Sequence, residues 1–357
     1  MTAHLTSVWV DKDEDNALDG TPLDSASLCH VLPMTNAQHA RFIQKSALHT
    51  GFVFKQNTAL KLIVNGVHHV FECKQDLALD AAALLDADQA LLAGKDYYIY
   101  ACIDNTSGQA PGCKLVTSLN STFPTGYTAD NSRKIGGFHT LCANVGTIGR
   151  HPLSDFVAGD ILPDSFWTLT CRPATCGPEG MVYLEKLGVW VDIYLQSGTD
   201  VNTASVYGAS VSKSRSWDQH SEDLAAVGKR MLWDNEFTLA AWGTQPYQAV
   251  QRAADPVTTG GKVNGAGRRI ISNIGCEDMC GCYWQWIHQS TAGSGSAWAN
   301  TVPSDQGKQY GPPLAMLAGG GWDEAANAGP RCRDGYSSRA YVGVAVHHSS
   351  RGAARAI

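Results

Sequence analysis

The sequence has no surplus of positive charge. Lys and Arg number 27 against 33 Asp and Glu, a net charge of −6, so no basic stripe is available to neutralise a phosphate backbone, and nucleic acid is excluded as a partner. There is also no run of about 18 uninterrupted apolar residues, which excludes a helical membrane span. The opening stretch MTAHLTSVWVDKDEDNALDG turns acidic by Asp11 and lacks a basic region followed by an apolar one, so no signal peptide is expected there. Catalytic signatures are equally scarce. No G-x-S-x-G elbow positions a nucleophile, and the glycine clusters at Gly260-Gly261 and residues 319–321 lack the Lys-Ser/Thr that completes a phosphate loop.

What is present is enough to fold. With 357 residues, 44% of them hydrophobic and 10 Trp, the chain can bury more than one core. The cysteines number 11, an odd count which, without a signal peptide, argues against a fully paired extracellular framework and for thiols packed as small apolar groups. Two alternatives stay open. Cys276, Cys280 and Cys282, with Cys332 further on, form either a metal site or buried thiols, although C-x3-C-x-C is not a paired zinc knuckle. A disulfide between Cys171 and Cys176 is the other.

The first part reads as β-rich. LKLIVNGVHHVFEC and DYYIYACID are strand-like, and Asn65-Gly66 between apolar flanks is a two-residue hairpin signal. LALDAAALLDADQALLAG, rich in Ala and Leu, predicts a helix ending at Gly94. A shift towards glycine in NSRKIGGFHTLCANVGTIG marks a junction, giving a β-rich domain over 1–145 and a second domain over 146–357.

In the second part LEKLGVWVDIYLQSG predicts a strand. DLAAVGKRMLWDNEFTLAAWG predicts one helix, or two broken near Trp233-Asp234. GGKVNGAGRR and SGSAWANTVPSDQGKQYGPP are long loops of the kind that carry function or insertions. RAYVGVAVHH alternates as a closing strand should. In CYWQWIHQ the period of two puts Trp284 and Trp286 on one face and Tyr283 on the other, a hydrophobic wall rather than a stacking platform.

Isolated site candidates have bland readings. His347 and His348 are adjacent on a strand, so they point to opposite faces and do not share a metal; His139, His151, His220 and His288 are scattered. Asp234 and Glu236 of WDNE read as capping or solvated groups. The segment over 319–348, GGGWDEAANAGPRCRDGYSSRAYVGVAVHH, has no helical or strand rhythm between Trp322 and Tyr341, yet ends in a clear strand.

A series of marks in the second half makes sense of that segment. SRKIGGFHTLC, GDILPDSFW, GMVYLEKLGVWVDIYL, GKRMLWDNEFTLAAWG and the terminal GGGW…GPRCR…YVGV, in this order from Ser132 onward, resemble the variable proteins of diversity-generating retroelements. The resemblance implies an α+β fold, with a C-terminal C-type lectin-like domain preceded by a β-rich N-terminal assembly domain. It implies a receptor-binding protein of a phage tail fibre or cell surface that displays a hypervariable patch to a protein or glycan on a target cell, as a homotrimer, with no enzyme activity, cofactor or metal.

The resemblance also sorts residues. These elements randomise adenines, so codons of the Asn type reach many side chains but not Trp, Glu, Lys, Met or Gln. Trp322, Glu324 and Lys308 therefore fall outside the variable set, whereas Asp323, Ala326, Asn327, Asp334, Tyr336, Ser337, Ser338 and Arg339 belong to it as ligand-binding positions. Gly319, Gly320, Trp322, Gly329 and Gly343 match the framework, and Ala325, Arg333 and Gly335 fit either set. The alternative on the same fold is an enzyme of the formylglycine-generating, sulfatase-modifying type, for which Cys276, Cys280, Cys282 and Cys332 would have to supply the chemistry.

Overall fold

The computed structural model describes residues 4–8, 30–33, 41–64, 67–104, 112–250, 255–292, 298–300, 308–310, 313–339 and 347–357. These residues are mostly strand and irregular chain with a few short helices, and they divide into two compact units. The chain visits each unit more than once. Residues 1–140 and 159–172 belong to the first, and 141–158 and 173–356 to the second.

In the first unit the strands are β1 (His4–Val8), β2 (His30–Pro33), β3 (Ile43–Lys45), β4 (Gly51–Phe54), β5 (Thr58–Val64), β6 (Val67–Cys73), β7 (Leu77–Asp80), β8 (Asp96–Asp104), β9 (Gly112–Ser118), β10 (Ser132–His139) and β11 (Trp167–Thr168). Among the described residues eight of them form one sheet, ordered β11-β10-β8-β9-β1-β6-β5-β2, and β3-β4-β7 form a second. The expected hairpin is there: β5 and β6 run antiparallel with Val64 opposite Val67, and the turn residues Asn65 and Gly66 lie outside the described residues. On β8 the side chains of Tyr97, Ile99, Ala101 and Ile103 alternate into the core beside Phe42, Phe52, Phe138 and Phe166.

The expected helix over Leu77 to Gly94 is not formed. Leu77 and Leu79 instead pair with Phe54 and Phe52 on β4, and the Asp80 carboxylate accepts from the Ala82 N–H to close a short 3-10 turn over Ala81–Leu84. Ala and Leu favour helix in isolation, but a phenylalanine-lined sheet edge outweighs a propensity of a few tenths of a kcal/mol per residue.

The second unit continues with β12 (Met181–Leu184), β13 (Val189–Asp192), α1 (Trp217–Ala226), β14 (Arg230–Met231), α2 (Asp234–Ala240), β15 (Trp284–Ala292), β16 (Trp298–Asn300), β17 (Lys308–Tyr310), β18 (Pro313–Gly319), β19 (Gly329–Ser338), β20 (His348–Ser350) and β21 (Gly352–Arg355). One sheet has the order β12-β13-β21-β14 and another β19-β18-β15-β20; β16 and β17 pair as a ribbon inside the second predicted loop.

The expected helical stretch resolves into two helices separated by a strand. The first begins earlier than predicted, at a capping box in which the Ser216 hydroxyl and the Gln219 side chain serve each other's backbone N–H groups. It stops before Gly228, whose φ of +72° takes the chain into β14. The second starts at Asp234, where Glu236 reaches back 2.8 Å to the Trp233 N–H.

Arg351 ties the second unit together. It is 1% exposed, donates Nη1 to the Asp192 carbonyl at 2.8 Å and Nε to Gln285 Oε1 at 3.1 Å, and also reaches the carbonyls of Ile193 and Glu277. A buried guanidinium is tolerated because its donors are matched in this way.

Candidate functional site

The site grows from the end of β18. Gly319 and Gly320 have φ of +93° and +90°, and a Cβ on either would come within 2.5 Å of the Met279 carbonyl or 2.4 Å of the Asn327 carbonyl. Only glycine turns the chain here without strain. Trp322 follows, half-buried against the cluster of Leu195, Val250, Ile270 and Tyr283, with its other face stacked on His347 at 5.4 Å and 16°. Glu324 is exposed, yet its carboxylate accepts from the Trp284 indole N–H at 2.7 Å. The loop is thus held by glycines, the Trp322 indole, the Trp284–Glu324 hydrogen bond and backbone hydrogen bonds such as that from the Asn327 N–H to the Glu324 carbonyl at 2.9 Å.

Between these fixed points the side chains are open. Asp323, Ala326 and Asn327 are exposed, Ser338 is exposed, and Asp334, Ser337 and Arg339 are half-buried. The side chain of Tyr336, and Gly343 with the predicted strand over 341–346, lie outside the described residues. Asp334 and Ser337 sit on β19 opposite Leu317 and Ala315 of β18, and β19 is the outer strand of its sheet. Asp323, Ala326 and Asn327 belong to the loop before it, and Arg339 follows it. The structure thereby gathers these residues along one strand and its preceding loop.

Two arginines of this segment are anchored to helices. Arg333 lies 5.0 Å over the Phe237 ring, donates to Thr238 Oγ1 at 2.6 Å and pairs with Asp234, so it holds β19 against α2. Arg339 lies 4.1 Å over the Trp217 ring, pairs with Asp218, and accepts the Trp217 N–H on its own carbonyl at 3.1 Å. Beyond Trp217 the aromatic contact continues through His288, at 5.7 Å, to Trp233, which meets the same imidazole edge-to-face at 4.3 Å. Sequence reasoning missed this row. The Ser216-x-x-Gln219 capping box was the signal that would have placed Trp217 in the first turn of a helix.

The wall is formed as expected. Trp286 is 1% exposed and packs with Leu224, Met231, Ala315 and Leu317, with Trp284 at the margin of the same cluster, while Tyr283 packs on the opposite side. His347 and His348 also face opposite ways, toward Trp322 and Trp286 respectively. Glu236 caps α2 but is not solvated: it is buried in a bidentate pair with Arg230 at 2.6 and 2.7 Å.

The cysteines are held as thiols. Burial pushes Cys276 and Cys280 up to about 12 and Cys282 well above its ordinary value, so that without a metal these three stay protonated at neutral pH. Cys280 Sγ accepts from Thr244 Oγ1 at 3.2 Å. Cys171 and Cys176 are not joined to each other, so the disulfide alternative is not formed. Among the described residues no group of three or more His, Cys, Asp or Glu side chains is placed to hold a metal ion, and no helix is long and apolar enough to cross a membrane.

Comparison with known proteins extends this picture. A family model described as the Mtd second domain matches residues 42–168. The chain is 30% identical over 278 residues to the tail fiber receptor-binding protein of Bordetella phage BPP-1, covering 71% of this chain and 69% of that protein. Among solved structures it is similar to the U1 variant of the major tropism determinant, with a TM-score of 0.71, 26% identity and coverage of 90% and 85% of the two chains. The M1 variant gives a TM-score of 0.71 at 25% identity, with the same coverage. The match over 42–168 carries the likeness back into the first half of the chain, ahead of the marks from Ser132 onward.

Proposed function

The chain belongs to the family of the phage tail fibre receptor-binding protein and the major tropism determinants, and from that premise we propose that it is itself a receptor-binding protein, a diversity-generating retroelement variable protein carried on a phage tail fibre. Its ligand is a protein or glycan receptor on a target cell, and its place is the virion. The observation that carries this reading is the division of labour over residues 319–339. Gly319, Gly320, Trp322, Glu324 and Arg333 hold the backbone, whereas Ala326, Asn327 and Ser338 are exposed, and Asp323, also exposed, lies 3.4 Å from the His347 imidazole. A surface that accepts changing side chains needs a scaffold independent of them.

In this reading Asp323, Ala326, Asn327, Asp334, Tyr336, Ser337, Ser338 and Arg339 contact the receptor. Residues 146–357 form a C-type lectin-like binding domain within an α+β chain, and residues 1–145 serve assembly as a homotrimer, so that several weak contacts add on one virion. No catalytic step is assigned. The relatives are named for receptor binding, which supports this reading over the sulfatase-modifying alternative.

The test is a set of chains carrying Asp323→Tyr, Asn327→Tyr and Ser338→Tyr, singly and together, applied to a panel of fixed bacterial strains with bound protein read by flow cytometry. The reading predicts that the set of strains bound changes while thermal stability does not. An unchanged set of strains across every variant contradicts it.

A further inference from the structure

A second concavity lies beside the site, built from elements outside residues 319–348. It has a volume of about 400 Å³ and is bordered by Val189, Arg230, Trp233, Asn235, Glu236 and Arg355. That size falls within the usual range of small-ligand sites, roughly 300–1,000 Å³, at its lower end.

Its chemistry is specific. Trp233 lines the cleft and is 42% exposed, so part of its side chain is open to a ligand there. Its other contact is the edge-to-face meeting with His288 at 4.3 Å, which fixes the ring. Glu236 is fully engaged: its two oxygens take Arg230 at 2.6 and 2.7 Å, and one of them also takes the Trp233 N–H at 2.8 Å. The charges of Arg230 and Glu236 therefore cancel. Arg355, at the end of β21, is exposed and has no ion-pair partner among the described residues. The cleft presents an aromatic plane, a neutralised polar pair, the Asn235 amide and one uncompensated guanidinium.

We propose that this cleft binds a hexuronic acid residue of a surface polysaccharide. The apolar C–H face of the pyranose ring stacks on Trp233, the sugar carboxylate pairs with Arg355, and hydroxyls take the Asn235 amide and the free edge of the Arg230–Glu236 pair. A bare inorganic anion would use the guanidinium but leave the indole idle. A neutral hexose would use the indole but leave Arg355 unpaired. The row Trp233–His288–Trp217, with Arg339 over its far end, joins the cleft to the variable strand. Every sister variant would then keep one constant sugar contact while its outer residues change. This last point rests on the receptor-binding reading; the sugar site itself does not.

The full-length protein is tested by saturation-transfer NMR and titration with sodium D-galacturonate, sodium D-glucuronate, methyl β-D-galactopyranoside and sodium sulfate. The proposal expects transfer to the ring protons of at least one uronate and about tenfold weaker binding of the neutral sugar, the amount one charge-assisted hydrogen bond supplies. Arg355→Gln removes that preference, Trp233→Ala removes binding of both sugars, and Val201→Ala, at an exposed position outside the cleft and the variable set, changes neither. Thermal denaturation checks that each variant folds. No transfer from either uronate, equal binding of uronate and neutral sugar, displacement of bound uronate by sulfate at equal concentration, or binding unmoved by Trp233→Ala overturns the proposal. None of these results bears on strain selection by the variable residues, so the two readings fail separately.

Discussion

The indole N–H of Trp284 donates to the carboxylate of Glu324 across 2.7 Å, joining a core strand to an otherwise solvent-facing loop. Trp284 stands on β15 next to the buried wall, so the bond fixes the loop that carries Asp323, Ala326 and Asn327 without using any of them. Loss of the carboxylate frees the loop and leaves an indole N–H without its partner. Glu324→Ala is expected to cost about 1 kcal/mol in urea denaturation, and Glu324→Gln, which keeps an acceptor, to cost less. The same loop in Glu324→Ala should gain amide hydrogen exchange over residues 323–327 while β15 keeps its protection.

The framework and display residues should separate sharply in stability. Gly319→Ala and Gly320→Ala force a Cβ to within 2.5 Å of a carbonyl oxygen at left-handed φ, and each is expected to cost upwards of about 2 kcal/mol. Ala326→Ser, Asn327→Ala and Ser338→Ala lie in open positions and should stay within about 0.5 kcal/mol of the parent. Denaturant midpoints for the five proteins measure this directly.

Acid should destabilise the second unit through its histidines. His220 is fully buried, with Nδ1 bonded to Gln196 Oε1 at 2.7 Å. Burial first, then the nearby charges of Arg215 and His348, lower it from 6.5 to about 3. His348 is lowered to about 4, chiefly by burial and then by His347. Between those values and 6.5 the unfolded chain binds protons that the native chain does not. Stability therefore rises with pH through this window and is lost as pH falls from 6.5 toward 4. His220→Gln should flatten the slope of unfolding free energy against pH over that range, by up to about 1.4 kcal/mol per pH unit. An unchanged slope would assign the acid sensitivity elsewhere.

Much of the architecture was legible because the relevant signals are local. Asn65-Gly66 set the β5–β6 hairpin, period-two alternation set β8, and the face assignment of Tyr283, Trp284 and Trp286 followed from strand geometry alone. The stretch from Leu77 to Gly94 was misread because its fate is decided by Phe52 and Phe54, which are distant in sequence terms from the alanines that suggested a helix. Of the two readings of the helical stretch the one with two helices formed, and α2 starts at the expected Trp233-Asp234, whereas the end of α1 before the left-handed Gly228 was not read; a lone glycine in a helical pattern carries less weight than its conformation warrants. Within the site, Asp323, Ala326, Asn327 and Ser338 of the set expected from the family's mutagenesis are exposed, whereas Asp334, Ser337 and Arg339 are half-buried. The anchoring of Arg333 to α2 and of Arg339 to Trp217 was not legible, since cation–π and ion pairs across about a hundred residues leave no periodic trace.

The central claim, that residues 319–339 interleave a fixed scaffold with a freely varying surface, is tested most directly by sequencing the DNA around this coding segment in sister genomes. The account predicts a near-copy of the segment downstream, differing mainly at adenines and followed by a reverse transcriptase gene. Variation should fall on Asp323, Ala326, Asn327, Asp334, Tyr336, Ser337, Ser338 and Arg339, while Gly319, Gly320, Trp322 and Glu324 stay constant. An invariant segment, or changes falling equally on Gly319, Gly320 and Trp322, would contradict it.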